Sequence, residues 1–361
     1  GMAVAEGAAM LLLRATRPEN CLATLIGAGL SCDAEHPAAP HPEGQGAFMA
    51  MQRALADAGL HSEDIGYINL HGTGTPDNDL AESKAVRRLF AVSPPLSSIK
   101  GATGHSLAAS GAIEAVVSAL AVSQGLLPAN TSLQNVDPAL GLTPLTEPLE
   151  QPVQAVLSNS FGFGGNNGSV VIGAVDAFPT RTCIRPGRGF AVRGYSCLTG
   201  AGDRAATLAR LQEGNFIAGR VDVDALAAHL PVQLIRRLKR LPRITLALAA
   251  MAHADVGPDA AKPGSVFMGT GWGALAETYD FLSRLTATAE KFPSPTDFVG
   301  SVHNGPASQA AIMFGATGAN ITTSGGDYSF EQALLAAQTL LPETDQSALL
   351  LGADEGHASF S

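Results

Sequence analysis

The chain has 361 residues, enough to bury one large core or two smaller ones. It is 46% hydrophobic and 15% charged, the balance of a globular protein tilted towards burial. Its net charge of −10 excludes nucleic acid as the main partner, yet leaves room for an acidic protein docked on a local basic patch.

The opening Gly1-Met2 reads as a tag remnant, and the residues after it carry neither a basic stretch nor a cleavage site. Residues 10–13, Met-Leu-Leu-Leu, and residues 23–27 are predicted as buried strands. Residues 46–58 have helical periodicity and end at Gly59. A short strand over 65–70 delivers His71 at its end. Residues 79–90 predict a helix with acids early and Lys84, Arg87 and Arg88 late, as the helix dipole favours. Residues 107–124 predict a buried, alanine-rich helix. No apolar run is expected to reach the roughly 18 residues of a membrane helix. Two strands, 153–159 and 168–173, flank a glycine turn at 162–165.

Residues 176–188 show no periodicity and contain Pro179, Pro186 and three arginines, so they read as a linker. Residues 189–361 then start a second run of elements. Strands are predicted at 190–195, 265–269, 320–323 and 348–352. Helices are predicted at 205–213, 236–254 with an interruption at Pro242, from 275, at 308–314 and at 329–341. Strands alternating with helices indicate an α/β layered fold in both halves. The cysteines at 21, 32, 183 and 197 show no CxxC or zinc-ligand spacing and fit a reducing cytoplasm.

Three motifs carry chemistry: His71-Gly-Thr-Gly-Thr75, Lys100-Gly-Ala-Thr-Gly-His105, and Asn159-Ser-Phe-Gly-Phe-Gly-Gly-Asn-Asn167. His71 and His105 stand at element ends beside glycines, where an imidazole can donate to a developing enolate or act as a base. Lys100 is placed to hold an electrostatic network together. The backbone N–H groups of the 161–165 turn can form half of an oxyanion hole, and Phe161 can gate the site. A plain hairpin with a packed aromatic would account for that last motif alone.

Together with the strand-leading segment Met2-Ala-Val-Ala-Glu-Gly-Ala8, these motifs make residues 1–175 resemble the C-terminal half of β-ketoacyl-acyl carrier protein synthases. The resemblance implies a thiolase-like layered αβαβα fold. It implies that His71 and His105 form the decarboxylation and condensation pair, that Lys100 supports them, and that Phe161 supplies a gate and an oxyanion amide. Residues 189–361 more weakly resemble the divergent N-terminal half of that family, through residues 190–202, Gly269-Thr-Gly-Trp-Gly273 and residues 298–340. The two halves therefore come in swapped order.

In the family a cysteine between a strand and a helix of the N-terminal half carries the acyl group. Alignment on Asn320 places Asp327 there, and an aspartyl anhydride would hydrolyse quickly. Ser329 is the alternative nucleophile, with His303 or a histidine of the first half as base. His303-Asn304 also reads as a helix-capping pair.

The resemblance implies decarboxylative Claisen condensation in fatty acid or polyketide-type biosynthesis, with the chain alone unable to condense. Whether it is an enzyme by itself stays open. The implied partners are acyl carrier protein, acyl and malonyl thioesters, and a second synthase subunit in a homodimer or heterodimer. No membrane partner, metal or organic cofactor is implied. One rival is a non-catalytic partner subunit resembling a chain-length factor. Another is a serine-dependent acyltransferase or malonyl decarboxylase.

Overall fold

The structure is a computed structural model, and it describes residues 2–14, 19–131, 133–178, 190–214, 219–224, 230–341 and 347–357. The chain divides into two compact units, Gly1–Ile184 and Arg185–Ser361.

The first unit is built on a five-stranded sheet. Its strands are β1 (Thr24–Cys32), β2 (Tyr67–Asn69), β3 (Leu96–Ser97), β6 (Ala155–Gly162) and β7 (Asn166–Gly173), in spatial order β1-β7-β6-β2-β3. The pairs β1–β7 and β7–β6 are antiparallel, whereas β6–β2 and β2–β3 are parallel. A separate two-stranded ribbon joins β4 (Leu126–Leu127) to β5 (Leu149–Glu150).

Side chains alternate across the sheet with the two-residue period of a strand. Leu157 and Val171 point into a core with Met51, Ala54 and Leu55 of α1 (Gln45–Ala58) and Val86 of α2 (Pro76–Leu89). Their neighbours Val156 and Ile172 enter a second core with Ala115, Ala121 and Val122 of α4 (Ser110–Gln124). Both faces of the sheet are thus covered by helices. The α1 helix lies against bare strand backbone: a Cβ on Gly29 would stand 2.1 Å from the Ala50 carbonyl oxygen. Gly59, at φ 68°, takes the left-handed conformation that closes α1.

The second unit carries a parallel three-stranded sheet in the order β10-β8-β9. These strands are β8 (Ser265–Gly269), β9 (Asn320–Thr323) and β10 (Ala348–Gly352). Val266, Phe267 and Met268 are fully buried, the continuous apolar run expected of a central parallel strand. Helices α5 (Arg204–Gln212), α6 (Val232–Ile235), α7 (Arg240–Val256), α8 (Leu275–Ala287), α9 (Pro295–Ser301), α10 (Gly305–Phe314) and α11 (Ser329–Leu340) complete it among the described residues.

Several expectations are corrected. Residues 10–13 are not a strand, and Met10 and Leu12 are almost fully exposed. Residues 190–195 have no strand pairing either. Pro242 does not interrupt its helix. It sits in the first turn of α7, where its missing N–H would have had no intrahelical partner. Asn304 precedes α10, but its side chain makes no capping bond to that helix. Of the expected linker, only residues 176–178 lie among those described, and Cys183 lies outside them.

One segment, Leu107–Gln124, does reach 18 residues and is apolar enough to cross a membrane by length and composition. It combines a 3-10 turn at Leu107–Ala109 with α4, and its Ser118, Ala121 and Val122 are buried over β6 and β7. Its Glu114 is buried in an ion pair with Lys100. One face of the segment thus packs on the sheet of the first unit, while most of its residues are partly buried or exposed.

Candidate active site

His71 follows β2 at the end of the sheet and is buried. Its backbone is fixed by an acid from the neighbouring helix. The Glu82 carboxylate of α2 accepts from the amides of His71 and Gly72, each at 2.9 Å, and from Asn159 Nδ2 at 3.2 Å. Asn159 is itself held, since Ser169 Oγ donates to its Oδ1 at 2.8 Å. Burial pushes the Glu82 carboxyl up to about 7, against the pull of those three hydrogen bonds. Gly72 has no room for a side chain, because a Cβ there would lie 2.5 Å from Ser98 Cβ.

Lys100 opens the short helix α3 (Lys100–Thr103) and is buried. Its ammonium pairs with the Glu114 carboxylate of α4 and donates to the His71 carbonyl at 2.5 Å. It also lies 3.3 Å from His71 Nδ1. An ammonium has only donors, so Nδ1 of His71 accepts and the ring proton sits on Nε2. Burial first, and then the Lys100 charge, hold His71 well below the ordinary imidazole range, so the ring is neutral at pH 7.

His105 stands beside it, with ring centroids 5.5 Å apart in an edge arrangement. The Leu107 amide donates to His105 Nδ1 at 3.2 Å. This assigns the His105 proton to Nε2 as well. Partial burial and Lys100 lower its pKa, so this ring is also neutral at pH 7. The result is two neutral imidazoles, each with an Nε2–H to offer.

Phe161 completes the group, its ring 5.9 Å from that of His71. It lies within β6 opposite Asn167, while the tight turn itself is Phe163–Gly165, with Gly164 at φ 82° and Gly165 at φ 73°. The Gly164 amide is committed to the Pro37 carbonyl at 2.7 Å.

The structure therefore brings together His71, Lys100, His105 and Phe161 within the first unit. Asp327 and Ser329 belong to the second unit. Asp327 is exposed in a 3-10 turn, Gly326–Tyr328. Ser329 is buried at the start of α11. Its Oγ accepts from the Gly325 amide at 2.9 Å and lies 3.0 Å from the Thr270 carbonyl and 2.7 Å from that of Gly326. Sequence reasoning missed Glu82 and Glu114. The available signal was an acid in the middle of a helix whose other inward positions are alanine, serine or valine.

Comparison with known proteins agrees with these motifs. Residues 22–134 match the model described as "Beta-ketoacyl synthase, C-terminal domain", and residues 213–360 match "Beta-ketoacyl synthase, N-terminal domain". The C-terminal type thus precedes the N-terminal type. The mitochondrial 3-oxoacyl-[acyl-carrier-protein] synthase of Arabidopsis thaliana is 40% identical over 187 residues, covering 48% of this chain and 41% of the relative. The 3-oxoacyl-[acyl-carrier-protein] synthase 2 of Coxiella burnetii is 39% identical over 184 residues, covering 48% of this chain and 44% of the relative. The chain spans less than half the length of these relatives. Among solved structures, a PfaC keto synthase–chain length factor covers 88% of this chain and 42% of its own, with a TM-score of 0.70 at 20% identity. That likeness establishes the thiolase-like α/β fold.

Proposed function

From the premise that the chain belongs to the β-ketoacyl synthase family, we propose that its first unit is the histidine half of a decarboxylative condensation site. The observation that carries this reading is the pair of neutral imidazoles 5.5 Å apart, each with its proton on Nε2. Decarboxylation of a malonyl thioester breaks the bond between the methylene carbon and the carboxylate. Carbon dioxide leaves, and the electron pair flows towards the thioester oxygen as an enolate. Two preoriented N–H donors stabilise that charge, at about 3–4 kcal/mol for one such donor. Lys100 keeps His71 in the donating tautomer, and Glu114 holds Lys100 in place through their ion pair.

Condensation needs a second thioester. The enolate carbon attacks an acyl carbonyl, and a thiolate leaves. We assign that thiolate to a cysteine supplied by another polypeptide segment or subunit. The family resemblance puts Asp327 at that position, and Ser329 has its hydroxyl occupied by backbone groups. Without an acyl acceptor the enolate takes a proton and gives the acetyl thioester. The second unit is read as a non-catalytic partner module resembling a chain-length factor, which the exposed Asp327 favours over a serine nucleophile.

The proposed substrates are malonyl and acyl groups on acyl carrier protein, with a synthase subunit as partner. A reducing cytoplasm suits the thiols of Cys21, Cys32 and Cys197, none of which forms a disulfide. The test is incubation with malonyl-carrier protein, following carbon dioxide and the intact mass of the chain. The expected result is carbon dioxide release without an acyl adduct, lowered at least about 100-fold by His71→Ala. Release unaffected by His71→Ala, or an adduct on Ser329, would defeat this reading.

A further inference from the structure

His105 is gripped by main chain from both sides. Its amide donates to the Ala3 carbonyl at 2.7 Å, and its carbonyl accepts from the Ala5 amide at 3.1 Å. These bonds form a parallel bridge between Val4 and His105 that belongs to no sheet. The approach is close enough to exclude side chains. A Cβ on Gly104 would lie 2.5 Å from Ala5 Cβ, and a Cβ on Gly7 would lie 2.8 Å from Ile113 Cδ1 and 3.1 Å from Ser106 Cβ. On the far side, Leu107 takes φ 51°, a left-handed conformation that is costly for leucine, and its amide donates to His105 Nδ1.

We propose that residues 3–7 are a strap that positions His105, setting where its Nε2–H stands beside His71. His71 does not share this support, being held by Glu82 and Lys100. The two imidazoles are therefore positioned independently, one from the acid of a helix and one from an extended segment. This strap acts through His105 and touches no substrate. Its effect on turnover rests on the decarboxylation reading above, whereas its effect on the His105 ring does not.

The test uses the full chain with Ala5→Pro, which removes the one N–H that reaches the His105 carbonyl. Ala8→Pro, at an exposed residue outside the bridge, is the control. Nitrogen NMR of the imidazoles reads the tautomer directly. In the wild type and Ala8→Pro, His105 should show one tautomer, protonated at Nε2. In Ala5→Pro its two nitrogens should move towards averaged shifts, with His71 unchanged. Malonyl-thioester decarboxylation should fall at least about 10-fold in kcat in Ala5→Pro, with KM little altered, as expected when a catalytic group is displaced. Should Ala5→Pro fail to fold, Gly7→Val, which crowds Ile113 and Ser106, must shift the same His105 signals. His105 signals unmoved in the folded variant, or equal changes in Ala8→Pro, would overturn the strap. If the wild type releases no carbon dioxide, the functional reading fails, and the tautomer measurement still decides the strap.

Discussion

Glu114 is the residue whose loss should cost the first unit most. Its carboxylate neutralises the Lys100 ammonium, and both side chains are shielded from water. Glu114→Ala strands that ammonium, and chemical denaturation should show a loss of about 3–5 kcal/mol. A loss under about 1 kcal/mol would mean that water reaches the pair. The imidazoles make a separate prediction about pH. Both are depressed in the folded chain, while an unfolded imidazole takes up its proton near 6.5. Their contribution to stability is complete above pH 6.5 and is lost as pH falls below it. Decarboxylation should accordingly be flat down to pH 6.5, with its acid limb lower still. A limb at or above 6.5 would contradict neutral donors. Glu82 acts in the opposite sense, since its carboxyl is raised to about 7. Its contribution is full below about 4.5 and lost as pH rises through 7, so NMR titration of the rings is the cleaner measurement than total stability. His71, Lys100, His105 and Phe161 were legible as motifs, because glycines beside a titratable side chain mark a backbone shaped for close approach. Glu82 and Glu114 were less legible, because their one signal, an acid among alanine, serine and valine positions, is weak when a carboxylate on a helix usually faces solvent.

Between elements, α1 lies in close backbone contact with β1. Ala50 and Ala54 backbone atoms fill the space where a Cβ on Gly29 would go. Gly29→Ala should push the helix outwards and cost about 1–3 kcal/mol or more, read by denaturant unfolding. Unchanged stability would show that the helix can slide at no cost. In the second unit the N-terminus of α8 gathers two buried acids. The Ala276 amide donates to Glu355 Oε1 at 2.7 Å, and Glu277 in the same turn is pushed up to about 7, by burial first and then by the Glu355 charge. The proton that Glu277 keeps when folded favours the fold below about pH 4.5, and that advantage is lost as pH rises through 7. Glu277→Gln should therefore raise the melting temperature at pH 8 by about 2–4 °C for each kcal/mol recovered, and flatten its pH dependence. A lower melting temperature at pH 8 would refute this. Helical periodicity located α1 and α2 to within a few residues, since their apolar faces meet the sheet. Residues 10–13 misled because an apolar run signals burial only if a neighbouring strand is present to pair with it. Pro242 misled because its position within the helix, first turn or interior, was not evident from composition.

At the scale of the whole chain, the order of the two family matches is the informative feature. The C-terminal type, at residues 22–134, precedes the N-terminal type, at residues 213–360. Adding a separately produced, cysteine-bearing N-terminal half of a β-ketoacyl synthase should allow condensation that depends on that cysteine and on His71. Product formed without the added half would place the nucleophile in this chain. The α/β class was readable throughout, because alternating strands and helices leave a periodic signature. The pairing of β1 beside β7 was not, because it joins segments more than 130 residues apart and depends on register that no local pattern encodes. The enclosed ammonium of Lys100 has a last consequence, for labelling chemistry. Acylating reagents need a free, solvent-accessible amine, so Lys262 and Lys291 will be modified quickly and Lys100 will be spared. The rate at which Lys100 becomes acylated is then a built-in clock for the opening of the site, readable by peptide mass without substrate or partner.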